Sequence, residues 1–252
     1  MILKHQTSGS GQPLVLVHGF PLHAGMWRDQ LSGLSDIAQV VAVDLRGHGH
    51  SPIGEEPFTM ELFADDLAET IDSLKLGPVH LGALSMGGYV AFAFWRRYPD
   101  RVRSMILCDT KAEADGPDAQ AARDATAKTV REEGIEAIWS GLGPKLLGKD
   151  PSEEVTETLR QIVLACDPEA AALDALAMKQ RPDSTGTLPT ISVPSLWIHG
   201  VDDQLMAPDA ARASAKAMPD CEFVEIPDAG HMAPLENPEA ANEAIRRHLK
   251  RA

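Results

Sequence analysis

Six short apolar runs recur along this chain, each followed by a segment of helical periodicity, and that alternation leaves few architectures open. The runs are Leu14–Val17, Val40–Val43, Val79–Leu81, Val102–Cys108, Ser195–His199 and Glu222–Ile226. Runs this short and rich in β-branched residues read as strands, and strands separated by helices read as βαβ units around a parallel sheet. The predicted class is therefore α/β, with Met1–His5 expected to add an edge strand. Between the runs, Met60, Phe63, Leu67, Ile71 and Leu74 fall on one face of a helix over Thr59–Leu74, with Thr59 as its cap. Near the end, Asn237-Pro238-Glu239 supplies a cap, a first-turn proline and an acid at the positive pole of a helix through Leu249.

One stretch breaks the rhythm. Lys111–Thr190 has no convincing strand and reads as several helices. Gly116-Pro117 opens one and Gly134 closes it, Pro151-Ser152 opens another, and Asp167-Pro168 caps the last. The predicted organisation is a core of residues 1–110 and 191–252 with a helical cap, residues 111–190, inserted between two strands. A chain of 252 residues is long enough for one such core and its insertion.

Charge and cysteine content narrow the function classes. A formal net charge of −14 argues against nucleic acid and against docking on an anionic membrane, since both rely on Lys and Arg. Cys108, Cys166 and Cys221 are widely spaced and odd in number, which suits neither a disulfide framework nor a zinc site. The N-terminal residues turn polar at Lys4, and the first apolar run is too short for a signal-peptide core or a membrane span. The expectation is a cytoplasmic protein acting on a small molecule, with no metal or organic cofactor. Oligomeric state is not legible.

The chemistry-bearing residues lie where these strands end. Leu81-Gly82-Ala83-Leu84-Ser85-Met86-Gly87-Gly88 joins a strand to a helical run, the context of a nucleophile elbow. A serine on so sharp a turn needs small neighbours two residues either side, and Ala83 and Gly87 supply them. A glycine-rich turn with an incidental serine is the bland alternative. Ser85 needs a base, and nine histidines compete for that role. A lone loop histidine is more often merely solvated. His231, however, lies after the last strand and before the last helix, at the same sheet edge as Ser85. The acid is expected between them in sequence. Asp203, beyond Gly200 at the end of the Ser195–His199 strand, is assigned the role, with Asp202 and Asp109 as alternatives. Val17-His18-Gly19-Phe20-Pro21 follows the first buried strand, so the N–H groups of Phe20 and Met86 are the expected oxyanion donors, with His18 structural.

His18-Gly19-Phe20, Asp44-Leu45-Arg46-Gly47-His48-Gly49-His50-Ser51, the Ser85 elbow, Gly200-x-x-Asp203 and Gly230-His231 span nearly the whole chain in a fixed order. In that order the chain resembles the α/β-hydrolase superfamily. Within it, the chain is similar to bacterial carboxylesterases and 3-oxoadipate enol-lactonase-like hydrolases. That likeness rests on Ser85-Met86-Gly87-Gly88-Tyr89, Tyr98-Pro99-Asp100-Arg101-Val102 and Gly230-His231-Met232-Ala233-Pro234-Leu235-Glu236. The resemblance implies the α/β-hydrolase fold: a mostly parallel sheet flanked by helices, with a helical cap. It also implies a structural role for the Asp44–Ser51 loop, in which Arg46 ties neighbouring loops together. Serine at the elbow disfavours the dehalogenase and epoxide hydrolase branches, which use aspartate there.

The expected activity is hydrolysis of carboxylic esters, small acyl esters or lactones, through a Ser85–His231–Asp203 triad and an acyl-enzyme. Trp139, Leu142 and Leu146 of the cap are expected at the substrate pocket, although packing the cap on the core would serve equally well. A 3-oxoadipate lactone carries a carboxylate, so a true lactonase should offer a cation from the cap. Arg123, Lys128, Arg131, Lys145 and Lys179 are available, and the sequence does not say which faces inward. Perhydrolase or haloperoxidase-like chemistry, carbon–carbon bond hydrolysis, and a low-turnover receptor of the same fold are the alternatives.

Overall fold

The computed structural model describes residues 1–55 and 57–252. Seven strands of the described residues form one sheet: β1 His5–Ser8, β2 Pro13–Val17, β3 Gln39–Val43, β4 Val79–Leu84, β5 Val102–Cys108, β6 Ser195–Gly200 and β7 Cys221–Ile226. Their spatial order is β1-β3-β2-β4-β5-β6-β7. All pairings are parallel except that of β1 with β3. Strands β2 and β4 are buried at every position, which explains why β2 reads as an unbroken apolar run rather than an alternating one, and why β4 does too apart from His80, whose Nδ1 meets Ser104 Oγ at 2.7 Å.

Among the described residues ten helices surround the sheet: α1 Arg28–Gly33, α2 Met60–Ser73, α3 Met86–Arg97, α4 Pro117–Glu133, α5 Ile135–Leu146, α6 Glu153–Leu164, α7 Pro168–Gln180, α8 Pro208–Lys216, α9 Ala233–Glu236 and α10 Pro238–Arg251. The predicted caps are made. Thr59 Oγ1 accepts from Leu62 N–H at 3.0 Å, Asp167 Oδ1 from Glu169 N–H at 2.8 Å, and Asn237 Oδ1 from Ala240 N–H at 3.2 Å. Gly134, at φ 83°, ends α4 in a conformation that suits glycine. The described residues 111–190 hold α4 to α7 and no strand. No helix of the described residues is long and apolar enough to cross a membrane.

The edge strand differs from expectation. It runs over His5–Ser8, paired His5 to Val43 and Ser8 to Val40, rather than over Met1–His5. The reason lies in the hydrogen bonds of the preceding residues. Leu3 N–H donates to Thr70 Oγ1 on α2 at 2.9 Å and Lys4 N–H to Ser51 Oγ at 2.9 Å, so side chains take the groups a ladder would use.

Because β2 and β4 to β7 all run the same way, their C-terminal ends open on one edge, where parallel sheets place their ligands. The segments following β2, β4, β5, β6 and β7 carry Phe20, Ser85, Asp109, Asp203 and His231 respectively. The Asp44–Ser51 loop beside this edge is fixed by its own polar groups. Arg46 is buried and donates from Nε and Nη2 to Asp66 of α2 at 2.6 and 3.0 Å. Asp44 accepts from the N–H groups of Ala24 and His50 at 2.8 and 3.0 Å. His48 Nε2 lies 2.9 Å from Asp174 of α7, a fully buried ion contact between this loop and the helices after β5.

Candidate active site

Ser85 occupies the single residue between β4 and α3, at φ 53° and ψ −115°. A non-glycine residue in such a conformation costs on the order of 1–3 kcal/mol and persists only where its surroundings fix it. Here they do. Ser85 N–H donates to Cys108 O of β5 at 2.9 Å, while Ser85 O accepts from Gly88 N–H at 2.9 Å and from Thr110 Oγ1 at 2.7 Å. The small residues have separate reasons. A Cβ at Gly87 would stand 2.6 Å from Val17 O and 2.7 Å from His18 O, so α3 meets the end of β2 only through glycine. Ala83 is buried in β4, its methyl accommodated where the common motif has glycine.

His231 completes the contact expected of a base. Its Nε2 lies 2.8 Å from Ser85 Oγ and its Nδ1 lies 2.9 Å from Asp203 Oδ2. An ionised carboxylate only accepts, so Nδ1 carries the proton and Nε2 is left to accept from the serine hydroxyl. Asp203 Oδ1 is held by the N–H groups of Leu205 and Met206 at 2.8 and 3.0 Å. Burial opposes charge on Asp203, but His231, His199 and these N–H groups outweigh it and hold the carboxyl below its ordinary range. Burial likewise works against a charged His231, and the Asp203 carboxylate beside it raises the imidazole above its ordinary value.

The histidine loop is located by contacts that the sequence reading did not assign. Glu236 Oε1 accepts from Gly230 N–H at 2.8 Å and Met232 N–H at 3.2 Å, the two residues flanking His231. Its Oε2 accepts from Gly148 N–H at 2.7 Å. From below, β6 presses so closely that a Cβ at Gly200 would stand 1.9 Å from Gly230 O. The only advance signal for Glu236 was its position in the motif running from Gly230.

Of the alternative acids, Asp202 points away and pairs with Lys149 at 2.5 Å. Asp109 lies at the same edge but bonds to Gly200 N–H at 2.7 Å through Oδ1, and its buried Oδ2 has no hydrogen-bond partner among the described residues. Burial, with the Asp203 carboxylate nearby, pushes it up to about 7 against the pull of His199, His231 and the Gly200 N–H. Among the described residues, one grouping has metal-ligand spacing: Asp109, His199 and Asp203, whose ligand atoms lie within 4.8 Å of one another. His199 Nε2, however, donates to Met206 O at 2.9 Å, and Asp203 is committed to His231. A cation there would take the carboxylate from the histidine.

A cavity of about 160 Å³ opens over Ser85 and His231, walled by Phe20, Leu142, Leu146 and Met178. Phe20 follows Gly19, where a Cβ would stand 3.1 Å from Ser85 Cβ, so its loop lies directly against the elbow. Met86 is the first residue of α3, and its N–H therefore has no acceptor one turn earlier in that helix. Trp139 is not brought to this cavity. Its indole lies over Gly143, filling the space a Cβ there would need, in a separate depression with Pro144 and Leu147. Of the five cap cations named from the sequence, Arg123 lines the cavity and Lys145 lines an adjoining one. Arg131 and Lys179 pair outside with Glu169 and Asp124 at 2.6 and 2.7 Å, and Lys128 lies 3.9 Å from Glu132. His18 is neutral and structural in its contacts: Nδ1 donates to Gly19 O at 2.9 Å and Nε2 accepts from Leu45 N–H at 3.0 Å.

Known proteins share this fold. A thermophilic esterase from Thermogutta terrifontis, solved with malate bound, superposes with a TM-score of 0.94 at 44% identity, over 99% of this chain and 93% of that one. Non-heme chloroperoxidase CPO-A1 of Kitasatospora aureofaciens is 30% identical over 88% of this chain and 86% of its own length. The 3-oxoadipate enol-lactonase 2 of Acinetobacter baylyi is 27% identical over 99% of this chain and 93% of its own. The model of the alpha/beta hydrolase family matches residues 14–244, and by that match, its sheet and its elbow the chain belongs to this family.

Proposed function

We propose that this protein hydrolyses carboxylic esters, lactones among them, with Ser85 as nucleophile, His231 as general base and Asp203 as the acid that orients it. The observation that carries the reading is the continuous contact from Ser85 Oγ through the His231 ring to Asp203, 2.8 and 2.9 Å, at the floor of a cavity. In this reading residues 111–190 act as a cap on a core of residues 1–110 and 191–252.

Ser85 Oγ attacks the ester carbonyl carbon as its proton passes to His231 Nε2. The negative charge that develops on the carbonyl oxygen falls to the N–H groups of Phe20 and Met86, the latter at the positive end of α3. Collapse of the tetrahedral intermediate breaks the bond to the alkoxide, which takes the proton back from His231. Water then enters, loses a proton to the same nitrogen and releases the acid from Ser85. Asp203 stays ionised throughout and stabilises the imidazolium. Initial rates on p-nitrophenyl acetate, p-nitrophenyl butyrate and a simple lactone test the reading. The expectation is turnover that falls to background in Ser85→Ala; no turnover of any of them by the unaltered protein would refute it.

One observation favours a second reading, perhydrolysis: a relative 30% identical is named a chloroperoxidase. Hydrogen peroxide would then replace water in attacking the acyl-enzyme, giving a peracid. Halogenation of a diketone with peroxide, halide and acetate, faster than ester hydrolysis, would favour it.

A further inference from the structure

Among the described residues, the cavity over Ser85 carries two cations and no acid on its lining. In a protein of formal charge −14 that is a local reversal, and apolar walls sharpen it. Lys111 follows β5, and Arg123 comes from α4. Their charges are balanced from behind, not from within the cavity. Asp115 is fully buried, with Lys111 Nζ 3.3 Å from Oδ1, Arg123 Nε 3.0 Å from Oδ2 and Arg181 Nη2 2.9 Å from Oδ1. Three cations thus share one carboxylate, with half-buried Glu113 and exposed Asp183 close by and outside the lining. Lys111 and Arg123 remain 32% and 25% exposed, while the Arg181 side chain at 3% is sealed behind Tyr89, its guanidinium 4.0 Å from the ring centre.

Tyr89 supplies an independent observation. It lines the same cavity, yet its hydroxyl is buried and has no hydrogen-bond partner among the described residues. A buried polar group left unpaired is costly, and a ligand oxygen would satisfy it. A hydroxyl donor with an ammonium and a guanidinium is a donor set for a carboxylate.

We infer that Lys111, Arg123 and Tyr89 form a carboxylate subsite, so that the preferred substrate is an ester or lactone bearing a free carboxylate a few atoms from the scissile carbonyl. This rests on the ester-hydrolase reading of the same cavity and specifies its substrate class. Size agrees with it: a cavity of about 150 Å³ holds a benzene-sized group, and this one is about 160 Å³. A succinyl group fits that space. Arg123, Phe20 and Leu142 are shared with an adjoining cavity of about 430 Å³, where the other half of the ester can lie.

The test compares isosteric pairs that differ in charge: monoethyl succinate against ethyl succinamate for an acyl-side carboxylate, and acetoxyacetate against acetoxyacetamide for an alcohol-side one. A carboxylate gaining charge-assisted hydrogen bonds should raise kcat/KM about 10- to 100-fold in one pair, mainly through KM. The ratio should fall towards unity in Lys111→Met and Arg123→Met, fall several-fold in Tyr89→Phe, and diminish in the unaltered protein as salt is raised. Because each ratio is taken within one enzyme, partial loss of folded protein cancels. Turnover of p-nitrophenyl acetate without preference for the anion in either pair would overturn the subsite and leave the ester reading standing. Failure on p-nitrophenyl acetate and all four esters would remove both.

Discussion

Replacing Asp109 by asparagine should make the protein relatively more stable at pH 8 than at pH 5. Asp109 is fully buried just beyond β5, bonded through Oδ1 to Gly200 N–H, and burial pushes its carboxyl up to about 7. The groups facing it are Asp203, which adds to the rise, and His199 and His231, which oppose it. A carboxyl raised in the folded state binds a proton there that the unfolded chain has already lost. Its stabilising contribution is therefore complete below the ordinary value of 3.8 and disappears as pH climbs through about 7. At about 1.4 kcal/mol per tenfold change in proton affinity, the whole passage amounts to on the order of 4 kcal/mol. Roughly 2–3 kcal/mol of that falls between pH 5 and pH 8. Asparagine keeps the shape and the acceptor for Gly200 N–H but cannot ionise. Urea unfolding of both proteins at several pH values gives the difference in stability directly. It should shift in favour of Asp109→Asn by roughly 2–3 kcal/mol between pH 5 and pH 8. A difference that is flat with pH, or that moves the other way, would refute the argument that Asp109 holds a proton near neutrality.

Asp203→Asn should lower kcat by about 10⁴-fold, as loss of the orienting carboxylate does in serine triads generally, while Asp202→Asn, which breaks only the contact with Lys149, should stay near the unaltered rate. Equal losses would contradict the assignment of the acid. Because Asp203 raises the His231 imidazole, the acid limb of the kcat/KM profile should have its midpoint above the ordinary histidine value of 6.5, and a midpoint below it would tell against His231 as base. Gly200→Ala should cost about 1–3 kcal/mol or more, since the new methyl must displace the Gly230 carbonyl; thermal unfolding that hardly changes would show that the histidine loop is not seated on β6 as described.

The fold was legible where burial is complete on both sides of the sheet, because β2 then leaves an unbroken apolar run and β4 and β5 are interrupted only by His80 and by Arg103 and Ser104. The convergence of Ser85, Asp203 and His231 followed from topology: parallel strands bring their ends to one edge, so a place between the last strand and the last helix could select His231 among nine histidines. What failed to show depends on contacts between distant segments. The first residues look like a strand until Thr70 and Ser51 are seen to take their N–H groups. Trp139 has the composition of a pocket residue, but Gly143 on the same helix leaves a slot that its indole fills. Lys111 and Arg123 differ from the other cations only in where Asp115 is buried. Glu236 reads as an ordinary helix acid although its oxygens bind the backbone on both sides of His231.

Reaction with a fluorophosphonate, followed by mass analysis of the intact protein and its peptides, puts the activated serine to the most direct trial. One phosphonyl group should attach, on the peptide holding Ser85, with labelling abolished in Ser85→Ala and greatly slowed in His231→Ala. Unchanged labelling in Ser85→Ala, or a modified residue elsewhere, would contradict the reading of this elbow as the seat of the chemistry.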